Sequence, residues 1–131
     1  MEAVMAIIRN NPPGIYNPGG YSNVVIDGNT VYVAGQVSFD ERGNKVGIGD
    51  GRAQAEQIFK NIKVALESAG SNMRQIKKIN IFVTHREDIP FYVQERIKAI
   101  PPDALPVSTL VVCSGLFDTD FRIEVEVIAA I

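Results

Sequence analysis

Hydrophobic and polar positions alternate most cleanly near the C-terminal end of the chain. Between Phe121 and Ala129 the apolar residues Phe121, Ile123, Val125 and Val127 are interleaved with Arg122, Glu124 and Glu126. Successive strand side chains point to opposite faces, so this run predicts a strand with one core face and one charged face. Two carboxylates on so apolar a strand leave two readings open. One is a solvated sheet face, common in antiparallel sheets; the other is a cleft in which Glu124 works. A preceding apolar run, Val107–Cys113, predicts a partner strand. A turn containing Gly115, Asp118 and Asp120 would join the two as a terminal hairpin.

The same patterning assigns the rest of the chain. Ala3–Ile8 predicts a first strand, and Asn10–Gly20, dense in Asn, Pro and Gly, an irregular loop of the kind that often carries binding groups. Ser22–Ile26 and Thr30–Gln36 flank Asp27-Gly28-Asn29, whose residues suit a tight hairpin turn. Gly35, inside the second of these strands, marks a bulge or a close approach to the backbone. Val37–Phe39 continues after a bend toward a turn at Asp40–Asn44. In Gly51–Ala69, the residues Ala55, Phe59, Ile62, Leu66 and Ala69 form one helical stripe, with Asp50 as N-cap and Gly70 as the stop. A short capped turn at Ser71–Gln75 leads into a strand, Ile76–Thr84. Asp88 is the expected cap of a second helix reaching about Ile100, where Pro101-Pro102 ends it. The fold class is therefore α+β: about six strands in a mostly antiparallel sheet, with two helices on one face. The other face mixes Tyr32 and Phe82 with the charges, which favours packing of further subunits against it, with a site near the seam.

Composition narrows the classes. A chain of 131 residues, 46% hydrophobic and 21% charged, fits one globular domain and excludes a disordered or fibrous one. Thirteen Lys and Arg against fifteen Asp and Glu give a net charge of −2, with no basic stripe, which argues against nucleic acid as a partner. A single cysteine, Cys113, excludes an internal disulfide and fits a reducing compartment; within an apolar run it reads as packing. Ala3–Ile8 is too short to span a bilayer and lacks a basic start, so a cytoplasmic protein with no membrane partner is expected. The lone His85 has no companion at ligand spacing, so no metal site is expected. Gly43–Gly51 is glycine-rich but lacks the Lys-Ser/Thr ending of a phosphate loop.

Four stretches together resemble the RidA/YjgF family of small reactive-intermediate deaminases: GYSNVVIDGNTVYVAGQV, the helix end ALESAG, the strand IKKINIFVT and the terminal RIEVEVIA. The likeness runs from about Pro12 to Ala129. It implies a chorismate-mutase-like fold, a barrel-like homotrimer with sites between subunits, and a small-molecule metabolite as ligand. It also implies cofactor-free hydrolysis of enamines and imines formed by pyridoxal-phosphate enzymes. Tyr21 matches the family's binding-loop tyrosine, with Gly20 where a proline is usual. Ala34-Gly35-Gln36 matches a Ser-Gly-Gln segment whose backbone borders the ligand, and Ala34 has lost the hydroxyl. Glu124 matches the glutamate that positions the attacking water; Glu126 shares its motif but not its role.

One departure bears directly on chemistry. Where active members read Pro-Ala-Arg-Ser, this chain reads Pro106-Val107-Ser108-Thr109, so Ser108 occupies the place of the arginine that clamps the substrate carboxylate. The cysteine that follows in the family is Leu110 here. Losing one partner of a desolvated charge pair costs about 2–5 kcal/mol. Three outcomes stay open: a substrate without that carboxylate, another base in its place, or lost catalysis. The last would leave a non-catalytic, small-molecule-binding or regulatory trimer. Arg122, two residues before Glu124, is a candidate replacement or the partner of a neighbouring acid. The family's older labels, ribonuclease and translation inhibitor, sit poorly with the acidic balance.

Overall fold

The computed structural model describes residues 6–131. Six strands, β1 (Ile8–Asn10), β2 (Val24–Asp27), β3 (Thr30–Gln36), β4 (Ile76–Val83), β5 (Val107–Val112) and β6 (Ile123–Ala130), form one sheet in the order β1-β2-β3-β6-β4-β5. Every neighbouring pair is antiparallel except β4 and β5. Helices α1 (Gly51–Ser68) and α2 (Ile89–Ala99) lie together against one face. The α+β reading with both helices on one side is thus what the chain adopts.

The core lies between that face and α1. Val31 and Val33 of β3, Ile79 and Ile81 of β4, and Val125 and Val127 of β6 pack with Ile58, Ile62 and Leu66. Asp50 caps α1 as its sequence promises: the carboxylate accepts from the Ala53 amide at 3.1 Å. The helix ends at Ser68, and Gly70 follows with φ of +80°. Phe59 stacks on Tyr92 at 5.9 Å between ring centroids and joins the two helices.

Three expectations are corrected. Of the predicted first strand, Ala3–Met5 lie outside the described residues, and among the described residues pairing begins at Ile8. The Asp27-Gly28 turn fixes where β2 ends, and the ladder set from it pairs Ile8 with Ile26 and Asn10 with Val24.

The terminal hairpin does not form either. β5 runs parallel to β4 at the sheet edge, while β6 inserts between β3 and β4. Parallel neighbours need a crossover, and α2 supplies it between β4 and β5. In the central slot β6 buries Ile123, Val125 and Val127, all at most 2% exposed, whereas Val107 of the edge strand β5 is 67% exposed.

Lastly, Asp88 makes no side-chain cap to α2. Its buried carboxylate instead accepts from Arg122 Nε at 2.7 Å and from a terminal guanidinium nitrogen at 3.2 Å. A guanidinium offers two parallel donors, a stronger match for a carboxylate than one backbone amide. Arg122 therefore pairs with an acid and does not serve as a spare cation beside Glu124.

Candidate active site

Between β3 and β6 the register runs from Val33 opposite Val127 to Gln36 opposite Val125, so β3 carries one extra residue at Ala34-Gly35. This is a β-bulge, where a strand bends and the ladder opens. Glu124 lies beside it on the face away from the helices, level with Phe82 of β4. A Cβ added to Gly35 would sit 2.5 Å from a Glu124 carboxylate oxygen. Because Gly35 is not among the glycines with positive φ, the residue is needed for space and not for backbone freedom.

Glu124 is half-buried and, among the described residues, makes no side-chain hydrogen bond or ion pair. Burial raises its pKa above the ordinary carboxylate value, and the charge of Glu126 on the same face pushes it further. Glu126 itself accepts a hydrogen bond from Asn80 at 3.0 Å. The two acids thus differ in kind: Glu126 is held by a protein partner, whereas Glu124 is open to an external one.

Tyr21 stands across from Glu124 on the loop before β2. Its phenol is raised by burial first, then by the charge of Glu124 and by Tyr16, which places it within electrostatic reach of the carboxylate. The loop is pinned from beneath. Gln36 Nε2 donates to Asn23 Oδ1 at 3.0 Å and Asn23 Nδ2 to the Tyr16 carbonyl at 2.8 Å, while Asn11 Oδ1 accepts from the Asn23 amide at 2.9 Å. Gln36 therefore serves the site through the loop, its side chain turned inward. Ala34 opens on a separate groove of about 300 Å³ shared with Tyr32, Lys78, Asn80 and Glu126.

Pattern reading missed the aromatic wall of the cleft. Tyr16, Pro18, Tyr21, Phe39 and Phe117 enclose about 430 Å³. Phe39 packs 4.8 Å from both Tyr16 and Phe121, centroid to centroid. The signal was present as two aromatics, Tyr16 and Phe117, placed in otherwise polar turns. Gln54 was also missed. Fully buried, it donates to the carbonyls of Gly47 and Asp120, both at 2.9 Å, and accepts from the Arg122 amide, which fixes the start of β6 and with it Glu124.

Ser108 lies elsewhere. It pairs with Ile79, a core residue, and so points to the helix side of the sheet, opposite to Glu124. There it borders a cavity of about 380 Å³ with Tyr92 and Arg96. Within one chain Ser108 and Glu124 do not meet, and a site that uses both needs two copies. His85 is exposed beside Thr84, and Cys113 is half-buried with its sulfur 3.6 Å from the Val83 carbonyl. Among the described residues no three His, Cys, Asp or Glu gather as metal ligands, and no helix is long and apolar enough to cross a membrane.

A six-stranded sheet with two helices on one face, and a half-buried carboxylate set at a β-bulge without a side-chain partner among the described residues, define a small α+β protein. Residues 14–131 match the family described as Endoribonuclease L-PSP. A 2-iminobutanoate/2-iminopropanoate deaminase of Dermatophagoides farinae is 34% identical over 113 residues, covering 86% of this chain and 87% of the relative. A RutC family protein of Pyrococcus horikoshii is 30% identical, covering 94% of each. The crystal structure of RidA from an Antarctic Psychrobacter superposes with a TM-score of 0.84 at 30% identity, over 94% of this chain and 98% of the other. YyfA of Yersinia pestis, of the conserved Rid protein family, gives 0.89 at 25%, over 96% and 100%. The chain belongs to the RidA/YjgF family, also called endoribonuclease L-PSP.

Proposed function

We propose that the chain hydrolyses an imine or enamine metabolite without a cofactor, in a cleft that neighbouring copies complete as a trimer. Glu124 holds the attacking water and takes one of its protons as the oxygen adds to the carbon of the protonated imine, the form through which an enamine also enters. The neutral carbinolamine takes that proton onto its nitrogen from the Glu124 carboxyl, ammonia leaves as the C–N bond breaks, and the hydroxyl proton passes back to the carboxylate, leaving the carbonyl product. Tyr21 and the Ala34-Gly35-Gln36 backbone shape the pocket. The observation that carries this reading is Glu124 itself: half-buried, set against a glycine bulge, raised in pKa and without a protein partner. The mite relative's name, an iminobutanoate and iminopropanoate deaminase, supports the same chemistry. Tyr32, Val107 and Val111, exposed on the face away from the helices, support its coverage by further copies.

The direct test is ammonia release from imines generated in situ, against their spontaneous hydrolysis, over a panel with and without a carboxylate. Acceleration of any member is expected; none at all would sink the reading. Ser108 favours a second function, a small-molecule-binding trimer without turnover, and thermal stabilisation by metabolites in the absence of hydrolysis would mark it. RNA cleavage has little support, since the chain is acidic with no basic track for a phosphate backbone. A cytoplasmic location fits the single cysteine.

Gly35→Ala probes the bulge. Its methyl group must displace the Glu124 carboxylate, and a displacement of about 1 Å at a reacting group can lower a rate about 100-fold. Hydrolysis should therefore fall roughly 10- to 100-fold while the melting temperature changes little, and full activity in this variant would contradict the placement of Glu124.

A further inference from the structure

We infer that Arg96, on α2, supplies the guanidinium that position 108 lacks, and that the cavity it shares with Ser108 and Tyr92 binds the carboxylate of an organic acid. This inference deepens the imine-hydrolase reading and rests on it for the identity of the substrate.

The cavity of about 380 Å³ is lined by Arg96, Tyr92 and Ser108 among apolar side chains that include Ile79, Val93 and Leu110. Arg96 is half-buried there and, among the described residues, has no acid or side-chain hydrogen-bond partner. Five cations pair with acids among the described residues, Lys45 with Asp118 and Asp120, Lys60 with Glu56, Arg74 with Asp103, Lys98 with Glu95, and Arg122 with Asp88; Arg96 is among those that do not, and it is the one that lines this cavity. Glu95, the acid next to Arg96 on the helix, is taken by Lys98 at 3.0 Å. The Tyr92 phenol is raised by burial, with the charge of Arg96 and the Ser108 hydroxyl opposing that rise, so all three groups act on one small space.

A free guanidinium beside two hydroxyls in a largely apolar cavity suits a carboxylate. The guanidinium gives charge and paired donors, the hydroxyls give further donors, and low polarity around them strengthens each contact. Arg96 on helix α2 thus stands in the cavity that Ser108 of strand β5 also lines. Since this cavity and Glu124 open on opposite sides of one sheet, the clamp of one copy would hold a substrate that reacts at Glu124 of another.

The test uses 2-oxobutanoate and its uncharged amide as probes, titrated by NMR and by thermal shift. Wild-type protein should bind the oxoacid at least 10-fold more tightly than the amide. Arg96→Gln should weaken oxoacid binding by 10-fold or more, roughly what loss of a partly exposed charged partner implies. Arg96→Lys should recover part of it, and Ser108→Arg added to Arg96→Gln should restore it. Equal binding of oxoacid and amide by wild type, or unchanged oxoacid affinity in a folded Arg96→Gln, overturns the inference. The two readings also fail separately. Oxoacid binding that depends on Arg96, with no imine hydrolysed, removes the enzyme and leaves the clamp. Hydrolysis of carboxylate-bearing imines with an unchanged KM in Arg96→Gln removes the clamp and leaves the enzyme.

Discussion

Replacing Glu124 by Gln should abolish most imine hydrolysis, by about 10²- to 10⁴-fold, because a positioned general base contributes on that scale. The amide keeps the size and much of the hydrogen bonding, so the loss reports the proton-accepting charge and not the shape. The wild-type rate should also fall as pH drops, with a midpoint above the ordinary carboxylate range, since burial and Glu126 raise the pKa of Glu124. The effect on stability has the opposite sense. With a folded-state pKa above the unfolded value, the native protein binds more protons than the unfolded chain between those two values. Stability contributed by this group is therefore present at low pH and lost as pH rises through that window. At neutral pH the ionised Glu124 weakens the fold, so Glu124→Gln should melt slightly higher while it loses activity. A variant that keeps its rate would remove Glu124 from the chemistry, and one that melts markedly lower would contradict the unfavourable burial of its charge.

The second large effect is expected at the buried pair of Asp88 and Arg122, and the two partners should not be equivalent. The Asp88 side chain is 2% exposed and that of Arg122 is 22%. Arg122→Met strands a carboxylate with almost no access to water, at a cost of about 3–5 kcal/mol. Asp88→Asn leaves a guanidinium that reaches solvent and an amide oxygen that still accepts, so about 1–3 kcal/mol is expected. Urea unfolding at a fixed protein concentration separates the two. The pair matters to the site because Arg122 precedes Glu124 by two residues and its amide is held by Gln54. An arginine variant milder than the aspartate variant would mean that Asp88 finds water or another donor.

Where local rules decide, the chain reads easily. Strand β3 and helix α1 follow their patterns nearly residue for residue, since one is a period-two run opened by a tight turn and the other carries a cap, a stripe and a stopping glycine. The expectation at Gly35 also holds on both counts, a bulge and a close neighbour. Contacts between distant parts of the chain were not legible. Asp88 before Ile89-Pro90 looks like a helix cap, and nothing nearby announces a partner 34 residues away. Two apolar runs with a turn between them look like a hairpin, because sequence adjacency hides the strand that separates them. Ser108 could be aligned by resemblance, but its side of the sheet follows only from its register with Ile79. Arg96 is not legible in the sequence, since a cation on an amphipathic helix is ordinary until the cavity it lines is seen.

The outermost position of β5 carries a hazard for the chain's life in solution. Its free edge ends the sheet, and Val107, Val111 and Val112 stand exposed along it. Bare edges of this kind recruit other backbones indiscriminately, and natural sheets blunt them with charge, proline or cover. Here only Pro106 adjoins the edge, and the proposed trimer would supply the cover that the edge itself lacks. On that proposal, freshly synthesised chains would be most vulnerable before they find one another.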